Sequence, residues 1–133
     1  MANISSAVYL PTRGDMELTS IASQVSGVVY QGQVMTFPDG SFAGFAAKTV
    51  TGVASGDELA VFGGVVGIAG TNIVAADAGK LAYVDVSAGS NNPADLIVSG
   101  AATGDVPVGQ VQAVLDGCAW IDTETRGSLA VHA

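Results

Sequence analysis

The sequence predicts a compact all-β fold, and three observations carry that expectation. Short β-prone pieces alternate with turn chemistry: within Ala54–Val86, the pieces Glu58–Phe62, Val65–Ala69 and Leu81–Val86 are separated by Ser-Gly-Asp, Gly-Gly, Ala-Gly-Thr-Asn and Ala-Gly-Lys. Gly, Asn and Asp tolerate positive φ, so each group can reverse the chain after a few residues. No segment sustains an apolar stripe at the 3.6-residue helical period, so little helix is expected. Finally, the 133 residues are 49% apolar and only 12% charged. That is enough apolar material for one domain with a real core, and about half the charge usual in a globular chain. A surface so poor in charge is suited to being covered by copies of itself or by a larger assembly.

Taken in order, residues 1–18 form an N-terminal arm. Asn3, Ser5, Ser6, Pro11, Thr12 and Gly14 interrupt Ile4, Val8, Tyr9 and Leu10 without any regular period. Such a segment is either ordered on a neighbouring molecule, with Tyr9 the first candidate for a partner contact, or a frayed terminus. The β domain is expected over 19–123, with Glu17–Ile21 opening the sheet. Val28–Phe37 reads as a strand pair or as one strand bent at Gly32. Pro38-Asp39-Gly40 is a tight turn, because proline presets φ and glycine closes it. Phe42–Val53 reads as one strand with Lys48 facing solvent. Glu58–Phe62, Val65–Ala69 and Leu81–Val86 follow, and Ser87–Pro93 is polar loop. Leu96–Ser99 is a short apolar piece, Val106–Leu115 a long strand with two weakly different faces, and Ala119–Thr123 the last strand. Residues 124–133 are a C-terminal tail. Ser55-Gly56-Asp57 and Thr103-Gly104-Asp105 each precede a strand; this is one turn chemistry used twice, not a repeat protein.

Charge narrows the partners. Twelve acidic groups stand against Arg13, Lys48, Lys80 and Arg126, a net charge of −8. Four dispersed cations cannot neutralise a row of phosphates, which argues against nucleic acid, and an anionic membrane surface repels such a chain. Neutral or basic partners are expected. Leu59–Ala69, the longest apolar run, has eleven residues including three glycines and is too short to span a bilayer. The first residues lack a basic region followed by a sustained apolar one, so no secretory signal is read there and synthesis in the cytosol is expected. Cys118 is the one cysteine, so no intrachain disulfide is expected.

Residues that could do chemistry are few. A nucleophile needs a base in reach, and the single histidine, His132, is one residue from the C-terminus while Cys118 lies in a β run. One His and one Cys supply too few ligands for zinc. Asp39, Asp57, Asp105 and Asp116 lie beside glycine, the setting of turn aspartates. Asp85 and Asp122 could form an acid–base pair only if the fold joins them, and the chain offers few aromatics for a sugar-binding cleft. Asp85, Ser87, Asn91, Asn92 and Asp95 gather oxygen ligands around Gly89, which fits calcium less well than an Asx-rich turn because the EF-hand spacing is missing. Gly63-Gly64 and Gly67 lack the Lys-Ser/Thr and the helix of a phosphate loop. Asn3-Ile4-Ser5 matches an N-glycosylation acceptor, which is inert without secretion, and Arg13-Gly14-Asp15 spells the integrin-recognised tripeptide, which arises by chance. Tyr9, Tyr30, Phe37, Phe42, Phe45, Phe62, Tyr83 and Trp120 are spread over the segments as core aromatics are. No catalytic, cofactor-binding or metal residue is assigned.

The order Val29–Phe37, Phe45–Val53, Gly56-Asp57, Val61, Gly64-Val65, Gly79-Lys80, Tyr83-Val84-Asp85 and Val108-Gly109-Gln110-Val111 resembles the small bacteriophage capsid decoration proteins, also called head or cement proteins. The resemblance spans roughly Val25 to Asp122 and rests on turns and alternation. It implies a β-sandwich or tulip-like β-barrel, commonly a homotrimer, bound through the major capsid protein to the outer surface of the head. The arm is long for that family, and residues 124–133 run past its usual last strand. The expected function is a non-enzymatic structural one without cofactors, in the virion. The alternatives are a tail or baseplate accessory domain that binds surface glycan, and a small hydrolase.

Overall fold

The computed structural model describes residues 3–11 and 17–123. The fold is all-β. Its strands are β1 (Glu17–Ala22), β2 (Gly27–Val29), β3 (Val34–Thr36), β4 (Phe42–Ala46), β5 (Val50–Val53), β6 (Glu58–Gly63), β7 (Val65–Ala69), β8 (Leu81–Val84), β9 (Val106–Leu115) and β10 (Cys118–Asp122). The only helical pieces among the described residues are single 3₁₀ turns at Ala75–Asp77, Val86–Ala88 and Pro93–Asp95. The strands make two antiparallel four-stranded sheets, β1-β6-β4-β3 and β7-β10-β9-β8, and a ribbon of β2 with β5. Both sheets follow one pattern, in which the last strand in sequence returns to lie beside the first, as in a Greek key.

Side-chain alternation turns these sheets into three layers. Val34, Phe42 and Phe45 of the first sheet meet Val66, Ile68, Val84, Val108, Val111 and Ile121 of the second in a sandwich core. The opposite face of the first sheet, through Ile21, Met35, Ala43, Ala46, Leu59 and Val61, packs on Val29 and Val53 of the ribbon. The first sheet is therefore covered on both faces, and all five residues of β4 are buried. A regular strand would send Phe42 and Phe45 to opposite faces. The pairing register of β3 with β4 slips between Met35, opposite Gly44, and Thr36, opposite Phe42, so Ala43 is the extra residue of a bulge that Gly44 adjoins at φ 151°. Both rings then enter the sandwich core edge to face, with centroids 5.0 Å apart. A Cβ on Gly44 would stand 2.7 Å from the Phe62 carbonyl oxygen, so the crossing of β4 over β6 needs glycine.

The predicted strands are found with informative departures. Val28–Phe37 holds two strands rather than one bent strand, with the turn at Gly32, but β2 pairs with β5 and β3 with β4, so they lie in different sheets. Phe42–Val53 is two strands, not one: Lys48 sits in the turn between them, held by Ala47 N–H donating to the Ala60 carbonyl (3.0 Å) and Gln31 N–H donating to Thr49 Oγ1 (3.1 Å). β8 stops at Val84 because the Asp85 carboxylate caps the following 3₁₀ turn, accepting from Ser87 N–H at 3.1 Å. Leu96–Ser99 contributes one bridge, Tyr83 to Ile97, in place of a strand. Asp116 and Gly117, at φ 54° and 76°, form the two-residue hairpin between β9 and β10.

The arm needs the largest correction. Residues 3–11 run along this chain's own domain rather than waiting for a neighbour. Val8 N–H donates to the Gln31 carbonyl at 2.9 Å, and Leu10, 4% exposed, joins the sandwich core. Gln33 is fully buried; its Oε1 accepts from Ile4 N–H (3.1 Å) and its Nε2 donates to Asn3 Oδ1 (2.9 Å). The backbone comes so close that a Cβ on Gly32 would meet Val8 Cβ at 2.8 Å. The sheet begins at Glu17, inside the span read as arm. The C-terminal tail expected over 124–133 lies outside the described residues.

Candidate interaction surface

The side chains weighed for chemistry are kept apart or engaged by backbone. In the β8-β9-β10 ladder, Val84 pairs with Val106 and Asp122 pairs with Gln110. Four steps along β9 place Asp85 and Asp122 about 13 Å apart at least, so they do not form an acid–base pair. The oxygen-rich segment is a capped loop. Asp85 Oδ1 accepts from Ser87 N–H and Ser87 Oγ, Asn92 Oδ1 accepts from Ala94 N–H at 2.9 Å, and Asn91 is buried with its carbonyl accepting from Val34 N–H. Among the described residues, no three His, Cys, Asp or Glu side chains converge on a point that could hold a metal. Cys118 is partly exposed at the start of β10. His132 and Arg13-Gly14-Asp15 lie outside the described residues.

Three of the turn aspartates, Asp39, Asp57 and Asp105, accept from backbone donors as expected. In Ala54-Ser55-Gly56-Asp57, the carboxylate accepts from Ala54 N–H (2.8 Å) while Asp57 N–H donates to the Ala54 carbonyl (3.0 Å). Ala102-Thr103-Gly104-Asp105 has the same two bonds at 2.8 and 3.0 Å. Asp105 adds a third: its Oδ1 accepts from Val86 N–H at 3.1 Å, tying two loops together, and it is 1% exposed. Asp77 closes a related turn on Val74 N–H and faces Lys80 Nζ at 3.1 Å. The Val74 bond, then the ammonium, hold its carboxyl below the ordinary value. Ser41 does the same for Asp39 through its hydroxyl and its N–H.

What the molecule presents is surface. Phe42 and Phe45 are core, as expected, whereas Tyr30, Phe37, Phe62, Tyr83 and Trp120 are half-buried and Tyr9 is 75% exposed. Trp120 lies over Gly67 on the outer face of the second sheet, where Pro11 also approaches: a Cβ on Gly67 would be 3.1 Å from both. A shallow groove of about 400 Å³ runs beside the 3₁₀ turns, floored by Ile73 and Leu96 and rimmed by Asn72, Ser90, Asp95 and Ser99, with no aromatic residue in its lining.

Sheet edges matter as much as faces, because an edge exposes unpaired N–H and C=O groups. Of the four edges of the two four-stranded sheets, three are closed by this chain. Val34 N–H of β3 donates to Asn91 O (2.9 Å), Gly67 N–H of β7 donates to Pro11 O (2.8 Å), and Tyr83 of β8 exchanges bonds of 2.8 and 3.0 Å with Ile97. The fourth edge is β1, where Leu18, Thr19, Ser20 and Ala22 are exposed. No family model, no curated protein and no solved structure matches this chain.

Proposed function

We propose that this protein is a non-enzymatic structural protein, a capsid decoration or cement protein that binds the outer surface of an assembled phage head and stiffens it against internal DNA pressure. The observation that carries the reading is where the resembling motifs stand. Gly56-Asp57 is a carboxylate-closed turn, and Gly64 carries the chain from one sheet to the other. Tyr83-Val84-Asp85 ends β8 and caps the next turn. Gly109 lies against the Asp122 carbonyl, where any Cβ would collide. Each motif is thus a requirement of the scaffold rather than part of a reaction centre, which suits a protein whose task is to be fastened in place.

The charge fits the same reading. At −8 the chain suits the outside of a shell better than its DNA-facing inside, with the major capsid protein as partner. Engagement of several equivalent sites would multiply a modest contact through effective concentration. The glycan-binding alternative has the groove at Ile73 and Leu96 in its favour, but that lining offers no aromatic ring for a sugar to stack on. The test is co-sedimentation with undecorated heads assembled from the major capsid protein of the same genome. Saturable, stoichiometric binding is expected; no binding over a range of salt concentrations overturns the reading, and a glycan array tests the alternative.

A further inference from the structure

We infer that β1 is a pairing edge for a second copy of this chain, joining two molecules through antiparallel β1–β1 contact about Ser20. This goes beyond the capsid reading and stands without it.

The edge has the right polarity of backbone groups. Ser23 N–H donates to the Asp57 carbonyl at 2.7 Å, and the ladder from there pairs Ile21 with Leu59, Thr19 with Val61 and Glu17 with Gly63. Antiparallel strands alternate in the direction of their N–H and C=O groups, so those of Leu18, Ser20 and Ala22 point away from β6. Among the described residues, the one group that meets them is the Gln24 side chain, whose Nε2 donates to the Ala22 carbonyl at 3.2 Å. Leu18 is 60% exposed, a large apolar side chain standing beside an open ladder. β1 has no proline, no lysine and no bulge, and its one charge, Glu17, stands at its first position, outside the Leu18–Ala22 stretch.

The sequence of the edge is self-complementary. A two-fold axis at Ser20 sets Leu18 opposite the partner's Ala22 and Ser20 opposite the partner's Ser20. The outward-facing residues are then the ones that exchange hydrogen bonds. Leu18 covers the partner's Ala22 on one face, and Thr19 meets the partner's Ile21 on the other. Charge selects the same place. Two molecules at −8 repel over most of their surfaces, yet no acidic or basic residue occurs from Leu18 to Pro38. The two first sheets would join into one continuous sheet of eight strands. An edge contact of this length is smaller than a standard stable interface, so a weak association, with a dissociation constant on the order of 10–100 µM, is expected.

Sedimentation equilibrium of the full chain between about 1 µM and about 1 mM tests this. A monomer–dimer equilibrium is expected, tightening severalfold between roughly 0.05 and 0.5 M salt as the repulsion is screened. Ser20→Pro removes an outward N–H without touching the β6 ladder and should weaken association at least about tenfold with an unchanged melt. Leu18→Lys, a gatekeeper charge on the same edge, should do the same and serves if the proline variant fails to fold. A monomer throughout the range overturns the inference, as does a dimer or trimer that neither variant weakens. Amide exchange identifies a different occupant: Leu18, Ser20 and Ala22 should gain protection only at high concentration, and protection already present in dilute monomer means the edge is covered by the chain itself. Head binding is measured separately, so failure of either idea leaves the other standing.

Discussion

Asp57 and Asp105 close the same turn in different surroundings, so replacing each by alanine separates hydrogen-bond geometry from burial. Both accept an alanine N–H at 2.8 Å, and both turns carry a glycine at nearly equal φ, 96° at Gly56 and 93° at Gly104. Asp57 is exposed, so water replaces its carboxylate, and Asp57→Ala should cost about 0.5–1 kcal/mol. Asp105 is almost fully buried and holds two donors, Ala102 N–H and Val86 N–H. At roughly 1.5 kcal/mol for each bond to a charged acceptor, Asp105→Ala should cost about 3 kcal/mol. Asp105→Asn should fall between them, about 2 kcal/mol, because its amide must point an N–H at one of the two donors. Urea unfolding followed through Trp120, the only tryptophan, supplies the measurement, with equal slopes confirming that the unfolded state is unchanged. Equal costs for Asp57→Ala and Asp105→Ala, within about 0.5 kcal/mol, would show that burial of Asp105 adds nothing and refute the reasoning.

Three further outcomes are expected. Gln33→Ala should cost about 2 kcal/mol through its bonds to Ile4 N–H and Asn3 Oδ1, and should speed exchange at the Val8 amide; an unchanged Val8 would mean the arm is held by Leu10 alone. Gly109→Ala drives a methyl into the Asp122 carbonyl, with Thr123 Cα only 3.1 Å away, so a loss of at least about 3 kcal/mol or of soluble protein is expected; wild-type-like urea unfolding would refute the close packing of β9 on β10. The third concerns pH. The Asp77 carboxyl is held below its ordinary 3.8 by Val74 N–H and then by Lys80, so the folded state takes up its proton later than the unfolded chain does. Its stabilisation is complete above the unfolded value and is lost as pH falls through the lower folded one. Melting temperature between about pH 2 and pH 6 should therefore drop less steeply below pH 4 in Asp77→Asn, with Asp39 supplying part of the slope that remains; identical slopes would dismiss the Asp77 contribution.

Local chemistry was legible in the sequence where it was sufficient by itself. Glu58–Phe62 and Val65–Ala69 alternate between paired glycines, and β6 and β7 follow them almost residue for residue. The Gly-Asp turns and the Asp116-Gly117 hairpin were likewise written in residues that accept unusual φ. The turn at Lys48 was not, because Ala-Lys-Thr carries no turn signal and its bonds come from Gln31 and Ala60. The packing of the arm is hidden for the same reason: Asn3 and Ile4 are held by Gln33, some thirty positions away, and Leu10 by a core that exists only after both sheets meet. The open edge of β1 is also a property of the assembled sheets. Glu17–Ile21 could be read as a strand, but which strand would be left without a neighbour depends on pairings spread over the chain.

The junction at Gly63-Gly64 has a consequence for how the chain folds. Glu17 pairs with Gly63, and Thr123 donates both its N–H (2.9 Å) and its hydroxyl (2.8 Å) to the Gly64 carbonyl. The first and last strands are therefore secured at the midpoint of the sequence, and neither sheet is finished until residues dozens of positions apart have met. On a ribosome, the first sheet must wait for β6 and the second for β10, so most of the domain is exported before any sandwich core can close. Refolding in milliseconds to seconds, rather than microseconds, is the rate such distant pairing imposes.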